Sequence, residues 1–546
     1  MPTLDWIGKQ AVVNHDKDVP FRLLKRDPKL SVGDSQNLLI KGDNLEALKA
    51  LMPYYVGKVK CVYIDPPYNT GTEKWVYNDA VNSPEIRAWL GKVVGPEGDD
   101  LTRHDKWLCM MFPRLKLIRD LMADEGLLFI SIDDNEQTLL KLLCDAVFGE
   151  RNFMTTICVK MSHLSGVKMS HVGKKLPKLK EYALMYAKDK SRAETAPAYR
   201  RVKWDKAFDR YKSFLVVDEN TPSDHRKWKA ITLREALEQN GIDPNDDEER
   251  TIFCFDNTER IFRTARNRSE QFTSLPKDQQ FRLITTARGL EKYAYNREEV
   301  VFAAAKFRAD EEGGESSPLE PLGDLWTDIG INNLHNEGGV GFRNGKKPLT
   351  LVKRIISICS DKNAIVLDSF AGSGTTGEAV LQLNKQEHTQ RKVILIEMEK
   401  DIAENLTAKR MNNAIHGYVA GKSKVEPTGG GFQFMRLDTT LFDKDGNISE
   451  PVTYLDLARY IFFTETQKDL DEKKVKKPYI GTDKEKDYCL FFTECGKNIF
   501  TRESMKRLPK NDAPKVVYAD RCLLSEETLR AHRIVFKQIP YQVKTY

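Results

Sequence analysis

Cys61-Val62-Tyr63-Ile64-Asp65-Pro66-Pro67-Tyr68-Asn69-Thr70-Gly71 is an apolar, β-branched run that stops at an acid, two prolines and an aromatic ring. Such a run, bounded by turn residues, reads as a buried strand that delivers a carboxylate and a tyrosine to its own end. The prolines cannot continue a ladder and have a fixed φ, so the carbonyl beside Asp65 is held rigidly. Open α/β sheets place ligands at the carboxyl ends of their strands. The stretch therefore predicts an α/β fold with Asp65, Pro66, Pro67 and Tyr68 at its crevice.

That edge suits a planar ring carrying an exocyclic amine. Asp65 can accept one amino hydrogen and the Pro66 carbonyl the other, while Tyr68 offers a stacking face, with a gain of roughly 1–3 kcal/mol. An amine delocalised into its ring is a poor nucleophile. Two acceptors that draw its hydrogens out of the ring plane favour the pyramidal form that can attack a methyl group. The same letters also fit a strand ending in a Pro-Pro turn, with Tyr68 as surface packing, and a second motif decides between them.

That motif is Ile365-Val366-Leu367-Asp368-Ser369-Phe370-Ala371-Gly372-Ser373-Gly374-Thr375-Thr376. A buried strand runs into Gly-x-Gly, then into a helix through Ala379, Val380, Leu381 and Leu383. The following strand, Val393 to Ile396, ends at Glu397. Glycines there let the backbone approach a nucleoside cofactor, and an acid closing the next strand can bond ribose hydroxyls. Gly-x-Gly alone also fits a dinucleotide dehydrogenase or a tight turn. Thr375 and Thr376 depart from the dinucleotide fingerprint, and a hydride enzyme has no evident use for the Asp65 motif.

Outward from these two words, Leu38-Leu39-Ile40 reads as a strand ending near Asp43, with Asn44 as cap of a helix carrying Leu45, Leu48 and Leu51. Asp43 either joins Asp65 at one sheet edge or is a plain turn residue. A helix with Leu108, Met111, Leu115, Ile118 and Leu121 stops before Gly126. The strand Leu127–Ile132 follows, and Asp133-Asp134 reads as a helix cap, completing a βαβ unit. Thr72 to Asp105, with Trp75, Tyr77 and Trp89, reads as a loop near the site, and residues 1–30 carry no legible motif.

Charge is uneven. From Lys160 to Lys212 there are fifteen Lys and Arg against five Asp and Glu, a net +10, although the whole chain carries only +6. Tyr182, Tyr186, Tyr199, Trp204 and Tyr211 are interleaved with them, a composition that fits a nucleic-acid surface as well as a solvated face. Lys174 and Lys175 have no neighbouring acid and are candidates for phosphate. Arg263 and Arg266, in a second basic cluster, are candidates for reading bases.

A chain of 546 residues exceeds one core and predicts several domains. No apolar run approaches the roughly 18 residues of a membrane span. The Met1-Pro2-Thr3-Leu4 start lacks a secretion pattern, so a soluble, cytoplasmic protein with no membrane partner is expected. The nine cysteines form no C-x-x-C pair and no His-Glu-x-x-His is present, so no metal site is expected. No G-x-x-x-x-G-K-[ST] occurs either, so ATP-driven translocation is expected in another subunit, if anywhere.

Together the two motifs resemble the amino methyltransferases that use S-adenosylmethionine. Asp-Pro-Pro-Tyr is their adenine-N6 signature, Phe-x-Gly-x-Gly is their cofactor loop, and the order in this chain resembles the β group of DNA adenine methyltransferases. Gly42-Asp43-Asn44-Leu45, Phe129-Ile130-Ser131-Ile132-Asp133-Asp134-Asn135-Glu136 and Lys347-Pro348-Leu349 narrow the likeness to the modification subunits of type III restriction systems. The resemblance implies a doubly wound class I methyltransferase core split by a target recognition domain, with a small α+β C-terminal domain. The expected divisions are an extension at 1–30, core halves at 31–159 and 321–425, recognition at 160–320, and a C-terminal domain at 426–546.

It also implies that Asp43, Asp368, Phe370, Gly372, Ser373, Gly374 and Glu397 line the cofactor pocket, with Lys347 near the methionine end. Asp65 to Tyr68 would hold a flipped adenine. Implied partners are double-stranded DNA, a second copy of the chain and a restriction subunit with helicase and nuclease activity. Two other functions stay open at this point: a specificity subunit that mainly positions such a partner, and methylation of another amino group, cytosine N4 or RNA.

Overall fold

Ten strands form the main sheet: Arg22–Arg26 (β1), Leu38–Lys41 (β2), Val59–Ile64 (β3), Met122–Ile132 (β4), Phe153–Lys160 (β5), Lys180–Ala187 (β6), Leu325–Trp326 (β7), Ile365–Asp368 (β8), Lys392–Glu397 (β9) and Gln433–Thr440 (β10). They come from a computed structural model, which describes residues 4–70, 98–162, 176–201, 208–217, 221, 223–286, 289–306, 319–330, 334–342, 345–359, 361–421, 423–442, 447–450, 452–466, 468, 470–493 and 498–539. Side by side the order is β1-β10-β2-β9-β8-β3-β4-β6-β5-β7. The six strands from β10 to β4 are parallel. β6 runs antiparallel between β4 and β5, and β1 antiparallel to β10. From β3 the chain steps to β4 on one side, and from β8 to β9 on the other, so the topological switch point lies between β3 and β8. This is the doubly wound α/β core expected from the sequence.

The central strands read as unbroken apolar runs because both faces are covered. Val62, Ile64, Leu128, Ile130 and Ile132 join one hydrophobic cluster with Leu48 and Leu51 of helix α1 (Asn44–Tyr55), Trp107 and Leu115 of α2 (Gly98–Leu121), and Leu143 of α3 (Gln137–Phe148). The alternate residues Cys61, Tyr63, Leu127 and Phe129 point the other way and are equally buried. Helices α4 (Leu349–Ile358), α5 (Thr375–Glu387) and α6 (Ala408–His416) pack in sequence, α4 on α5 and α5 on α6.

Several sequence expectations shift by a few residues, each for a local reason. Asp43, not Asn44, caps α1: its carboxylate accepts from Leu45 N at 2.8 Å and Glu46 N at 3.2 Å. Asn44 is buried instead, its amide donating to the Ser369 carbonyl at 3.1 Å. Gly126 does not precede β4 but lies inside it, where the register with β3 slips between Val59 and Cys61. A Cβ at Gly126 would lie 2.8 Å from the Ala123 carbonyl and 2.9 Å from that of Val59, so only glycine permits that approach. Asp133 is not the cap of α3. It folds a turn onto Asn135 N at 2.9 Å and pairs with Lys178 at 2.6 Å, while Glu136 holds the cap position without a side-chain bond.

The chain divides into two compact units, one of residues 1–196 with 324–546, the other of Pro197–Gly323. The boundary expected at 160 therefore falls too early. β6 belongs to the core sheet, and its Tyr186 is buried core although its sequence reads as basic and aromatic. The boundary at 426 likewise precedes the last core strand, β10. The C-terminal four-stranded sheet (Tyr479–Asp483, Lys486–Leu490, Lys515–Ala519 and Ile534–Gln538) is packed by hydrophobic clusters of its own and lies in the same compact unit as the core. Helix α7 (Tyr454–Thr466) joins them, its Phe463 entering the core cluster and its Arg459 lying over the Tyr54 ring of α1. Residues 4–30 are likewise part of the core: Trp6, Val12 and Val19 are in its cluster and β1 edges its sheet.

The smaller unit holds a six-stranded antiparallel sheet that includes Ile261–Ala265, Glu291–Tyr295 and Glu298–Phe302. Phe262, Phe281 and Val300 are buried on it. No helix among the described residues is long and apolar enough to cross a membrane.

Candidate active site

β3 ends one residue before Asp65, and the loop that follows is fixed from outside. The Trp107 indole of α2 donates to the Pro67 carbonyl at 2.7 Å, which leaves that bond off the Pro66 carbonyl. Asn69, fully buried, holds a left-handed φ of 54° and donates to Glu136 at 2.5 Å and to the Arg103 carbonyl at 3.3 Å. His104 also bonds Glu136. Burial raises the Glu136 carboxyl above the usual range, against the pull of Asn69 and His104. A left-handed non-glycine residue costs free energy that its surroundings must offset. The buried Glu136 carboxylate supplies that restraint.

Asp65 sits within a small charged group. Lys347 Nζ lies 3.3 Å from Asp65 Oδ1 and 2.7 Å from Glu181 Oε2. It donates to the Tyr68 hydroxyl at 2.5 Å, and that hydroxyl donates to Glu181 at 2.9 Å. The ammonium also lies 4.6 Å from the centre of the Tyr68 ring. Burial pushes the Asp65 carboxyl up to about 6, although Lys347 pulls it down. Burial works against the Lys347 charge, but Asp65 and Glu181 together carry it above the ordinary lysine value. Tyr68 is raised well above the usual phenol by burial and by the neighbouring carboxylates, so it stays a neutral donor. Asp65 Oδ1 is buried and makes no hydrogen bond among the described residues.

The Gly-x-Gly turn follows the neighbouring strand, β8. Gly372 and Gly374 have φ of 49° and 82°, a region that side chains avoid. The Asp368 carboxylate is inside the turn, accepting from Phe370 N at 3.0 Å and from the Thr376 hydroxyl at 2.5 Å, and burial pushes it up to about 7. Glu397, at the end of β9, accepts from Gly372 N at 2.8 Å and Glu399 N at 2.9 Å, and burial raises it to about 7 as well. Asp43 stands one strand further on, beyond Gly42, whose amide bonds the Glu397 carbonyl at 3.0 Å. Phe370 packs against the core cluster.

The fold thus brings Asp65–Tyr68, Asp368–Gly374, Glu397 and Asp43 to the same carboxyl edge of adjacent strands, and Lys347 to Asp65 directly. Ser373 turns inward, its hydroxyl taken by the buried Arg410 at 3.0 Å. In the smaller unit Arg263 lies 5.8 Å from the centre of the Tyr211 ring, and Arg266 is exposed. Lys174 and Lys175, and the aromatics Trp75, Tyr77 and Trp89, lie outside the described residues. Sequence reasoning missed three residues of the site: Glu181, Glu136 and Trp107. Glu136 had a signal, since it ends a motif word; Glu181 had none, standing among lysines.

The DNA methylase family model matches residues 59–410, both motifs and everything between them. The chain is 30% identical over 444 residues to the probable type III restriction-modification enzyme HindVI Mod subunit of Haemophilus influenzae, covering 75% of this chain and 55% of that one. It is 30% identical over 439 residues to the type III restriction-modification enzyme EcoPI Mod subunit of Escherichia phage P1, covering 73% and 64%. Against the type II methyltransferase M.KpnI of Klebsiella pneumoniae it is 26% identical over 379 residues, covering 66% and 80%. The matched region thus spans between about half and two thirds of those two type III relatives. With its two motifs on adjacent strands and a family match across most of its length, this chain belongs to the DNA methylase family.

Proposed function

We propose that this chain transfers a methyl group from S-adenosylmethionine to the N6 amine of adenine in a specific site of duplex DNA, as the modification subunit of a type III restriction system. The observation that carries this reading is the placement of Asp65–Tyr68 after β3 and Gly372–Gly374 after its neighbour β8. An amine bound at the first would face a cofactor bound at the second, across the switch point of the sheet.

The residues present fit the cofactor. A Cβ at Gly372 would find nothing closer than 3.8 Å, so glycine is used there for its φ and for backbone access. The Glu397 carboxylate, fixed by Gly372 N and Glu399 N, closes the next strand where a ribose would need an acceptor. When bound, the cofactor supplies an electrophilic methyl group on a sulfonium. Asp65 and the Pro66 carbonyl would take the two amine hydrogens, and Tyr68 would carry the ring. A paired adenine cannot reach these groups inside the duplex, so the base must leave the stack.

The smaller unit, with Arg263 and Arg266, is the part we assign to target recognition, together with Lys174 and Lys175. Relatives named as Mod subunits of type III enzymes support a restriction subunit as partner, and a second copy of the chain is the other partner we propose. By its resemblance to the amino methyltransferases, Asp at position 65 favours adenine over cytosine N4. The test is incubation of unmethylated genomic DNA with the purified chain and tritiated S-adenosylmethionine, followed by base analysis and long-read sequencing. N6-methyladenine at one recurring site is expected. Label in cytosine or RNA, or DNA binding without turnover, would replace this reading.

A further inference from the structure

Glu181 belongs to neither sequence motif, yet it touches two residues of the site. Its neighbours in β6 and the preceding loop make other pairs: Lys178 with Asp133 at 2.6 Å and Lys180 with Asp134 at 3.5 Å. Glu181 instead takes Lys347 at 2.7 Å and the Tyr68 hydroxyl at 2.9 Å. Lys347 is therefore shared by two carboxylates and stands closer to Glu181 than to Asp65, at 3.3 Å. The distinction matters, because a charge-assisted hydrogen bond is about twice as strong as a neutral one. An ammonium seated on Asp65 would outcompete any neutral amine for that oxygen.

We infer that Glu181 is a positioning residue that draws the Lys347 ammonium aside from Asp65 and fixes Tyr68 through its hydroxyl, so that Asp65 meets the target amine as an open acceptor. This rests on the proposed transfer to an exocyclic amine and adds a residue to it. Asp65 Oδ1 is buried and meets Lys347 as an ion pair at 3.3 Å without hydrogen-bond geometry, the looser of the two carboxylate contacts of that ammonium. Lys347 balances both negative charges, and its shorter contact is the one with Glu181.

Two measurements test it. In steady-state methylation of unmethylated genomic DNA, Glu181→Gln should raise KM for DNA roughly tenfold, with a smaller loss in kcat and an unchanged Kd for S-adenosylmethionine. Glu181→Asp should recover part of the loss. The second measurement needs no activity: a melting cycle of Asp65→Asn, Glu181→Gln and the double variant. Each single change leaves Lys347 one counter-ion and the double change leaves none, so the double shift should exceed the sum of the single shifts. Additive shifts would overturn the sharing of Lys347, and wild-type KM and kcat in Glu181→Gln would overturn its positioning role. If the wild-type chain labels no DNA, the functional reading fails along with the target amine, and the melting cycle still decides the sharing.

Discussion

In the proposed transfer, Asp65 concentrates the chemistry in one side chain. Asp65→Ala should lower methylation by about 10²–10³-fold, the usual loss when one preorganised group is removed. Calorimetric binding of S-adenosylmethionine should persist, and a near-normal methylation rate would remove the assigned role. The same residue sets a pH dependence. Burial raises its carboxyl to about 6, and the ionised form is the stronger acceptor for the amine, so the rate should climb as pH rises through about 6. A profile of kcat/KM that is flat from about pH 5 to about pH 8 would contradict this. Asp65 and Tyr68 were legible in the sequence because strand, acid, prolines and ring form one local word. Glu181 was not, because it meets Tyr68 only through the pairing of β6 with β4, across a separation of 113 residues.

At the scale of elements, the site is held by strand ends and the turns that follow them. Gly374 begins α5 with φ of 82°, and a Cβ there would lie 3.0 Å from Thr407 Cγ2. Gly374→Val should therefore lose cofactor affinity while the protein still folds; calorimetry showing an unchanged Kd would refute the assignment of this turn. Asp43 serves α1 as its cap and also lies 3.3 Å from the buried Arg114 guanidinium. Asp43→Ala should destabilise the chain by about 1–2 kcal/mol in denaturant unfolding, and Asp43→Asn by less, since an amide oxygen still caps. The turn was readable from its glycines, and the strands from their apolar runs. The cap was misplaced by one residue because Asp43 and Asn44 have equal local claims, and the long-range bonds of Asn44 to Ser369 and Arg114 separate them.

For the whole molecule, the proposed division of labour puts base reading in the smaller unit. Arg266 is exposed there, and Arg266→Ala should cost about 1–3 kcal/mol on the specific site if it reads a base, without altering cofactor affinity. Binding titrations on specific and random duplexes check this, and equal losses on both would make it a phosphate contact. The sequence marked the basic region but not its limits, because lysines flank the core residues of β6 on both sides, Lys178 and Lys180 before them and Lys188 and Lys190 after them. Only its pairing with β4 and β5 reveals that it belongs to the main sheet. The adjacency of β3 and β8 also has a consequence in time. Val59 must wait for Ile365 before the crevice has a second wall. Roughly 300 residues made at about 5–20 per second take about 15–60 s. During synthesis β3 therefore lacks its β8 neighbour on one side, an unpaired edge of the kind that invites aggregation. A ribosome that stalls before residue 365 releases a chain with the acceptor word but no β8 to complete its pocket.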